Sequence, residues 1–279
     1  MSLAYQNLLL DAYKNHYAVP ALSVHSFDMI EAVVEEADAQ RMPVLLQIGQ
    51  KAIHNGQMKI LARYITQVAG EVTVPVGIHL DHCREVVQVV QALRAGFTSC
   101  MMDASAQTFE VNVEQTASVV SMCHAVDVPV EGELGAIGGA EDDVFVEDES
   151  VVYTSAEAAM EFVQYTGVDS LAVAIGSAHG MYKREPKLDL ERLRQIFEAT
   201  HVPLVLHGGS GIPRAQIQAA LRFGIAKINF DTELRQAFVS GLREGTVEYP
   251  DDPYSAMQMA RRKLRQTVRE KMMYCRSVL

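Results

Sequence analysis

The stretch VPVGIHLDHCREVVQVVQALRAG, from Val74 to Gly96, reads as one complete structural unit. An apolar run, Val74–Leu80, passes through a polar turn into an amphipathic pattern over Glu85–Gly96. Pro75 stands near the start of the run, where a missing N–H does least harm to a strand. The same unit recurs in both directions along the chain. Further apolar runs lie at Val19–Val24, Pro43–Ile48, Phe97–Met102, Val128–Leu134, Asp169–Ile175, Pro203–Leu206 and Ala226–Phe230. With Val74–Leu80 they make eight candidate strands. Helical patterns follow at Ser26–Arg41, Met58–Gly70, Glu85–Gly96, Glu110–Asp127, Ser155–Gly167, Asp189–Thr200, Pro213–Phe223 and Thr232–Glu244. Ser26 is a plausible N-cap, with Asp28 and Glu31 placed to complement the helix dipole. A charged segment at Pro253–Cys275 predicts one extra C-terminal helix.

Eight strand-then-helix units point to a closed parallel sheet, a single (β/α)8 TIM barrel spanning residues 1–279. The length of 279 residues suits one such barrel. An open doubly wound sheet is the competing arrangement, but it normally carries a Gly-rich nucleotide loop near its first strand, and this chain has none there.

Composition narrows the function. The chain is 49% apolar but only 7% aromatic, which suits a core of Val, Ile, Leu and Ala. A net charge of −11 and a pI near 5.3 argue against a nucleic-acid partner. Cys83, Cys100, Cys123 and Cys275 show no CxxC spacing, as expected of thiols in a reducing cytosol. Leu8–Leu10 is too short an apolar run for a signal peptide, and no stretch approaches the ~18 apolar residues of a membrane span. A cytoplasmic protein with no membrane partner is the expectation.

In a barrel of this kind, chemistry gathers at the C-terminal ends of the strands. Those ends read Ser23-Val-His25, Gln47-Ile-Gly49, His79-Leu-Asp81-His82, Asp103 and Glu131-Gly-Glu133. The later ones read Gly176-Ser-Ala-His179-Gly180, His207-Gly-Gly-Ser210-Gly211 and Asn229-Phe-Asp231-Thr232. His82, His179 and His207 come from three different units and can converge on one cation. Three neutral imidazoles suit Zn²⁺ and leave the open position a catalytic metal needs, although Co²⁺ or Mn²⁺ would fit the same donors. His79 is expected to support the site rather than bind metal. Asp81, directly before His82, is placed to move a proton on a bound hydroxyl. The glycines and Ser210 of His207–Gly211 offer backbone N–H groups to a phosphate, and Gly176–Gly180 and Asn229–Thr232 add donors.

Together these blocks resemble the class II fructose-bisphosphate and tagatose-bisphosphate aldolases. The likeness covers nearly the whole chain. It is densest in HLDH (His79–His82), EGELGAIGGAEDD (Glu131–Asp143), TGVDSLAVAIGSAHGMYKREPKLD (Thr166–Asp189), LVLHGGSGIP (Leu204–Pro213) and KINFDTELR (Lys227–Arg235). The resemblance implies zinc on His82, His179 and His207, with Glu133 at a displaced metal position. It implies Asp81 as the acid/base on the C4 hydroxyl and Glu141 as a loop glutamate exchanging a proton with the enediolate. It places the C1 phosphate on Gly180, Gly208, Ser210, Asp231 and Thr232, with Asn229 near the enediolate. A monovalent cation, Na⁺ or K⁺, attends that phosphate in several members. Lys183 and Arg235 match cations for the distal phosphate, the arginine arriving from a neighbouring subunit, so a homodimer or homotetramer is implied.

Where many relatives have Phe-Asn after the first strand, this chain has Leu22-Ser23; where many have Ser after the second, it has Gly49. The C-terminal tail also departs, ending in Tyr274–Leu279 instead of a Gly-rich segment. Fructose 1,6-bisphosphate is the first expectation for substrate, with tagatose 1,6-bisphosphate or another phosphorylated keto-sugar as alternatives. A metal-dependent hydrolase would carry a His-x-His pair on its first strand, and only His25 is there. A Schiff-base aldolase would need an inner strand-end lysine, and Lys227 stands at the wrong level. A non-catalytic partner subunit would have no use for Asp81 beside three histidines.

Overall fold

The computed structural model describes residues 8–141, 144–146, 152–180, 182 and 185–277. Eight parallel strands close into a barrel. They are β1 (Val19–Ser23), β2 (Val44–Ile48), β3 (Val76–Cys83), β4 (Ser99–Met102), β5 (Val130–Leu134), β8 (Ser170–Val173), β10 (Leu204–Leu206) and β11 (Ile225–Phe230), with β11 pairing back onto β1. Each coincides with one of the eight apolar runs. The main helices are α2 (Phe27–Gln40), α4 (Met58–Ala69), α5 (Val86–Ala95), α6 (Phe109–His124), α7 (Ala156–Thr166), α8 (Leu190–Thr200), α9 (Arg214–Leu221) and α10 (Thr232–Glu248). This is the (β/α)8 fold, with the extra helix α11 (Pro253–Cys275) laid against it.

Local chemistry sets the helix starts. Ser26 Oγ accepts from Met29 N–H at 3.3 Å, Ser155 Oγ from Ala158 N–H at 3.2 Å, and Asp189 Oδ1 from Arg192 N–H at 3.0 Å. Each satisfies a backbone donor that the first turn leaves over.

The strands divide the molecule in two. Their outward residues, among them Leu46, Ile78, Leu80, Leu171 and Leu206, are buried against the helices and form the apolar core. Inside the barrel the residues are largely polar. Gln47, His79, Asp81, Glu131, Glu133, His207, Lys227 and Asn229 are all buried. At the N-terminal mouth a short helix α1 (Leu8–Lys14), not anticipated from the sequence, packs Ala12 with Val19, Ala21, Leu45 and Ala226.

Among the described residues three more strands lie outside the barrel: β6 (Gly138–Glu141), β7 (Val144–Val146) and β9 (Ala178–His179), in the order β7-β6-β9. They correct the placement of His179. The barrel strand β8 ends at Val173, and His179 stands six residues beyond it on the small sheet, Gly139 pairing with His179 in parallel register.

α10 runs on past Glu244 to Glu248. Gly245 marks a close crossing rather than a stop: a Cβ there would lie 2.5 Å from Ala256 O on α11. α11 also seats Arg265 and Arg269 on Glu36 of α2, at 3.1 and 2.7 Å. Burial disfavours charge on Glu36, but hydrogen bonds from Arg269, Gln40 and Arg265 outweigh it and hold its pKa below the ordinary 4.5. A depressed folded pKa adds stability above the unfolded value and loses it as pH falls through the folded one. Glu36→Gln should therefore cost about 1–3 kcal/mol at neutral pH. In urea titrations the gap from wild type should close below about pH 4.5; a gap independent of pH would contradict the assignment.

Candidate active site

The site is assembled from β3, β5, the end of β10 and the small sheet. β3 carries the decisive irregularity. Its register to β4 shifts between Leu80 and Cys83, and His82 adopts a left-handed backbone with φ 45°. Strict alternation would send Asp81 and His82 to opposite faces. The bulge turns His82 inward beside Asp81, at the cost of order 1–3 kcal/mol that such backbone carries in a residue other than glycine. Gln50 helps to hold it. This residue opens a short helix α3 (Gln50–His54), unforeseen in the sequence, and its Nε2 donates to His82 O at 2.8 Å.

His82, His179 and His207 each offer a ring nitrogen within 4.8 Å of the others'. Their ring centroids are 4.7–5.7 Å apart. Carboxylates orient two of the rings. Asp103 Oδ2 lies 3.0 Å from Nδ1 of His82, and Glu131 Oε1 lies 3.0 Å from Nε2 of His207. The opposite nitrogen of each ring is thereby turned to the site. Asp103 is only partly exposed, which disfavours its charge, yet its contact with His82 keeps its carboxyl well below the usual range. Nδ1 of His207 and Oε2 of Glu133 lie 3.3 Å apart, both buried without a hydrogen bond. Burial alone would depress the pKa of His207, but Glu131 and Glu133 raise it to about 9. The place favours positive charge, and the donor set fits a divalent metal with three imidazoles and a carboxylate alongside. His82, Asp103 and Glu133 form a second close group. Because Asp103 occupies Nδ1 of His82, that group orients the His82 ring rather than making a second centre.

Asp81 directly precedes His82 and is 4% exposed, its Oδ1 3.8 Å from Nε2 of His79. Its Oδ1 accepts from Gln47 Nε2 at 2.6 Å and Asn229 Nδ2 at 3.2 Å. The amide oxygens of Gln47 and Asn229 are buried and unbonded, and present acceptors beside Asp81. Ser23 aligns with Gln47 across β1 and β2, and Gly49 caps α3, so both departures from the family pattern abut groups that support Asp81 and His82.

The glycine-rich segments adjoin. Gly209 N–H donates to Asn229 O at 2.9 Å. Gly208, at φ 64°, touches the chain before His179 so closely that a Cβ would lie 2.1 Å from Ala178 O. Tyr182, which the sequence reading passed over, bridges the two loops: its hydroxyl accepts from Ala178 N–H and donates to Gly208 O, both at 2.8 Å. Gly180, Ser210 and Thr232 lie on these segments, Ser210 buried and Thr232 opening α10. Asp231 receives His25 Nε2 at 3.0 Å on one oxygen and Arg235 Nε of its own chain at 2.8 Å on the other. Glu141 ends β6, its side chain outside the described residues, and Lys183 also falls outside them.

The family model described as fructose-bisphosphate aldolase class-II matches residues 3–278. The chain belongs to this family. It is 41% identical over 251 residues to a protein named sulfofructosephosphate aldolase from Alkalicoccus urumqiensis, covering 90% of this chain and 88% of that one. Among solved structures it resembles the YdjI aldolase from Escherichia coli K12, with a TM-score of 0.89, 35% identity and coverage of 99% and 98%. It also resembles a putative fructose-1,6-biphosphate aldolase from Coccidioides immitis, with a TM-score of 0.88, 30% identity and coverage of 96% and 94%. Family membership implies aldol chemistry on a sugar phosphate, and among the described residues no helix is long and apolar enough to cross a membrane.

The contact at Gly208 generates a test. Gly208→Ala forces a Cβ into Ala178 and strains a left-handed residue, so the His179 and His207 segments must separate. The expected loss is about 3 kcal/mol or more in chemical denaturation, with reduced bound metal per chain by elemental analysis. Unchanged stability and metal content would remove the proposed contact.

Proposed function

We propose that this aldolase cleaves a ketose 1-phosphate bearing a second anionic group at C6, using a zinc ion on His82, His179 and His207 with Glu133 beside it. The observation that carries the reading is the convergence of the three imidazoles, one of them directly following the buried Asp81 in the chain. Zinc at that position supplies Lewis-acid polarisation of the ketose carbonyl. Asp81, held by Gln47 and Asn229, takes the proton of the C4 hydroxyl. The C3–C4 bond breaks, C4 leaves as an aldehyde, and the bonding pair passes to the three-carbon fragment. Glu141 is the proposed donor of the proton that C3 then takes, giving dihydroxyacetone phosphate. The buried amide oxygens of Gln47 and Asn229 are suited to substrate hydroxyls.

Gly180, Gly208, Ser210, Asp231 and Thr232 are the proposed C1-phosphate segment, where a Na⁺ or K⁺ ion would sit beside the carboxylate. Lys183 and Arg235 are proposed for the distal anion. Fructose 1,6-bisphosphate is the first substrate reading and tagatose 1,6-bisphosphate its stereochemical alternative. A sulfonated fructose phosphate is a third, supported by the 41% identical relative of that name. Asp231 already accepts from Arg235. A sulfonate carries a single negative charge where a phosphate ester carries about −1.5 to −2, so these sugars differ in the charge that the distal site must meet. We place the enzyme in the reducing cytosol, which four buried free thiols suit.

We further propose a homo-oligomer, supported by exposed Val247, Tyr249 and Tyr254 around the α10–α11 turn. Sedimentation of a lone monomer at micromolar concentration would overturn that assembly.

Cleavage of the three sugars should be assayed side by side, before and after chelation and again with added Zn²⁺. Activity lost to the chelator and restored by zinc is expected, and the rate ratio identifies the sugar. Asp81→Asn should lower kcat about 10²–10⁴-fold while keeping its zinc. Activity that survives complete metal removal, or an Asp81→Asn enzyme as fast as wild type, would refute the mechanism.

A further inference from the structure

One layer below the histidines, inside the barrel, lies a polar cluster that the proposed reaction does not use. Lys227 is completely buried on β11, and Glu131 and His79 are each 2% exposed. Lys227 Nζ donates to Glu131 Oε2 at 2.8 Å and Oε1 at 3.0 Å, and lies 3.3 Å from His79 Nε2. An ammonium has three donors and no acceptor. All three are therefore directed here, and His79 Nε2 must accept. Its Nδ1–H then faces Ser99 Oγ at 2.8 Å. The lysine is thus engaged away from the reacting centre, at a level unsuited to a Schiff base.

The energetics make this cluster a poor stabiliser in its own right. Replacing a buried ion pair by apolar side chains of similar volume is often neutral or favourable, because desolvating both charges costs so much. Barrels of this fold usually fill these layers with branched apolar residues. What the pair does have is a link upward. Glu131 Oε1, which Lys227 also grips, takes Nε2 of His207 at 3.0 Å. With both carboxylate oxygens clamped, Glu131 cannot turn away, and a carboxylate accepting at Nε2 fixes the hydrogen there. The lone pair of Nδ1 is left facing Glu133 and the other imidazoles.

We infer that Lys227 is a positioning residue for the metal centre: it holds the Glu131 carboxylate, which in turn fixes the tautomer and plane of His207 as a ligand. The inference rests on the metal reading above. Lys227 acts through two other side chains and touches no substrate, so it is not catalytic.

The test compares zinc dissociation constants of the full-length protein, by competition with a chromophoric chelator, and the visible spectrum of the Co²⁺-loaded form. Three proteins are compared with wild type: Glu131→Gln, Lys227→Met, and the double variant Lys227→Met/Glu131→Leu, which leaves no charge unpaired. Groups that hydrogen-bond to metal ligands are typically worth about 10–100-fold in affinity. Each variant should weaken zinc binding by such a factor and alter the Co²⁺ bands, while the double variant melts near the wild-type temperature. Where Lys227→Met does not fold, the near-isosteric Glu131→Gln decides. Wild-type zinc affinity and an unaltered Co²⁺ spectrum in folded double variant and in Glu131→Gln overturn the inference alone. A wild-type protein that binds no zinc overturns the metal reading and this inference with it.

Discussion

Two carboxylates two residues apart on one strand, Glu131 and Glu133, set the terms for the interior of this barrel. Residues i and i+2 of a strand share a face, and on β5 that face is the inside of a closed sheet. Water cannot solvate both groups there, so each requires positive charge or hydrogen-bond donors close by. Glu131 meets the requirement with Lys227 and the Nε2 side of His207. Glu133 faces His207 and His82 at 3.3 and 4.0 Å. The preference for a cation among the histidines therefore follows from the alternation of one strand. Intervening Gly132 faces outward and is equally constrained, since a Cβ there would lie 2.7 Å from Phe162.

The second constraint is the bulge on β3. Regular pairing would let this strand contribute Asp81 or His82 to the interior, but not both. The shifted register and left-handed His82 allow both, and the surroundings secure the distortion: Gln50 holds the carbonyl of His82, Asp103 holds its ring, and Gln47 and Asn229 hold Asp81. Strain of this kind persists only where neighbours over-determine it. It has a purpose on the proposed reading, because a proton acceptor and a metal ligand adjacent in sequence become adjacent in space.

Much of this was legible in the sequence, and the limits of legibility have physical causes. The eight apolar runs stand out because strands buried on their outer face by helices cannot afford polar residues there. The cap at Ser26 was readable because its hydrogen bond is local. The bulge was not, since nothing in His79-Leu-Asp-His82 distinguishes a strand end from a distorted strand; it is held by Gln50 and Asp103, distant in sequence. The small sheet carrying His179 was hidden for a similar reason, as β9 is two residues long and depends on pairing with β6. The run of α10 past Glu244 was hidden because the service of Gly245 to a neighbouring helix leaves no local trace. Tyr182 looked like any loop aromatic, and only the approach of Gly208 to Ala178 gives its hydroxyl two partners.

The arrangement also separates what the fold fixes from what it leaves variable. Of the groups proposed for bond cleavage, Asp81, His82 and His207 are buried in the closed interior, where changing one buried charge leaves its partner uncompensated. At the rim, His25, Asp231 and Arg235 form a hydrogen-bonded set between the end of β1 and the start of α10. The side chains of this set are 19–39% exposed, so substitution there strands no buried charge. Ser23 and Gly49 stand between the two regions, one beside Gln47 and the other capping α3. A barrel built this way can retain aldol cleavage while the sugar it accepts changes, because the two demands fall on residues with different costs of replacement.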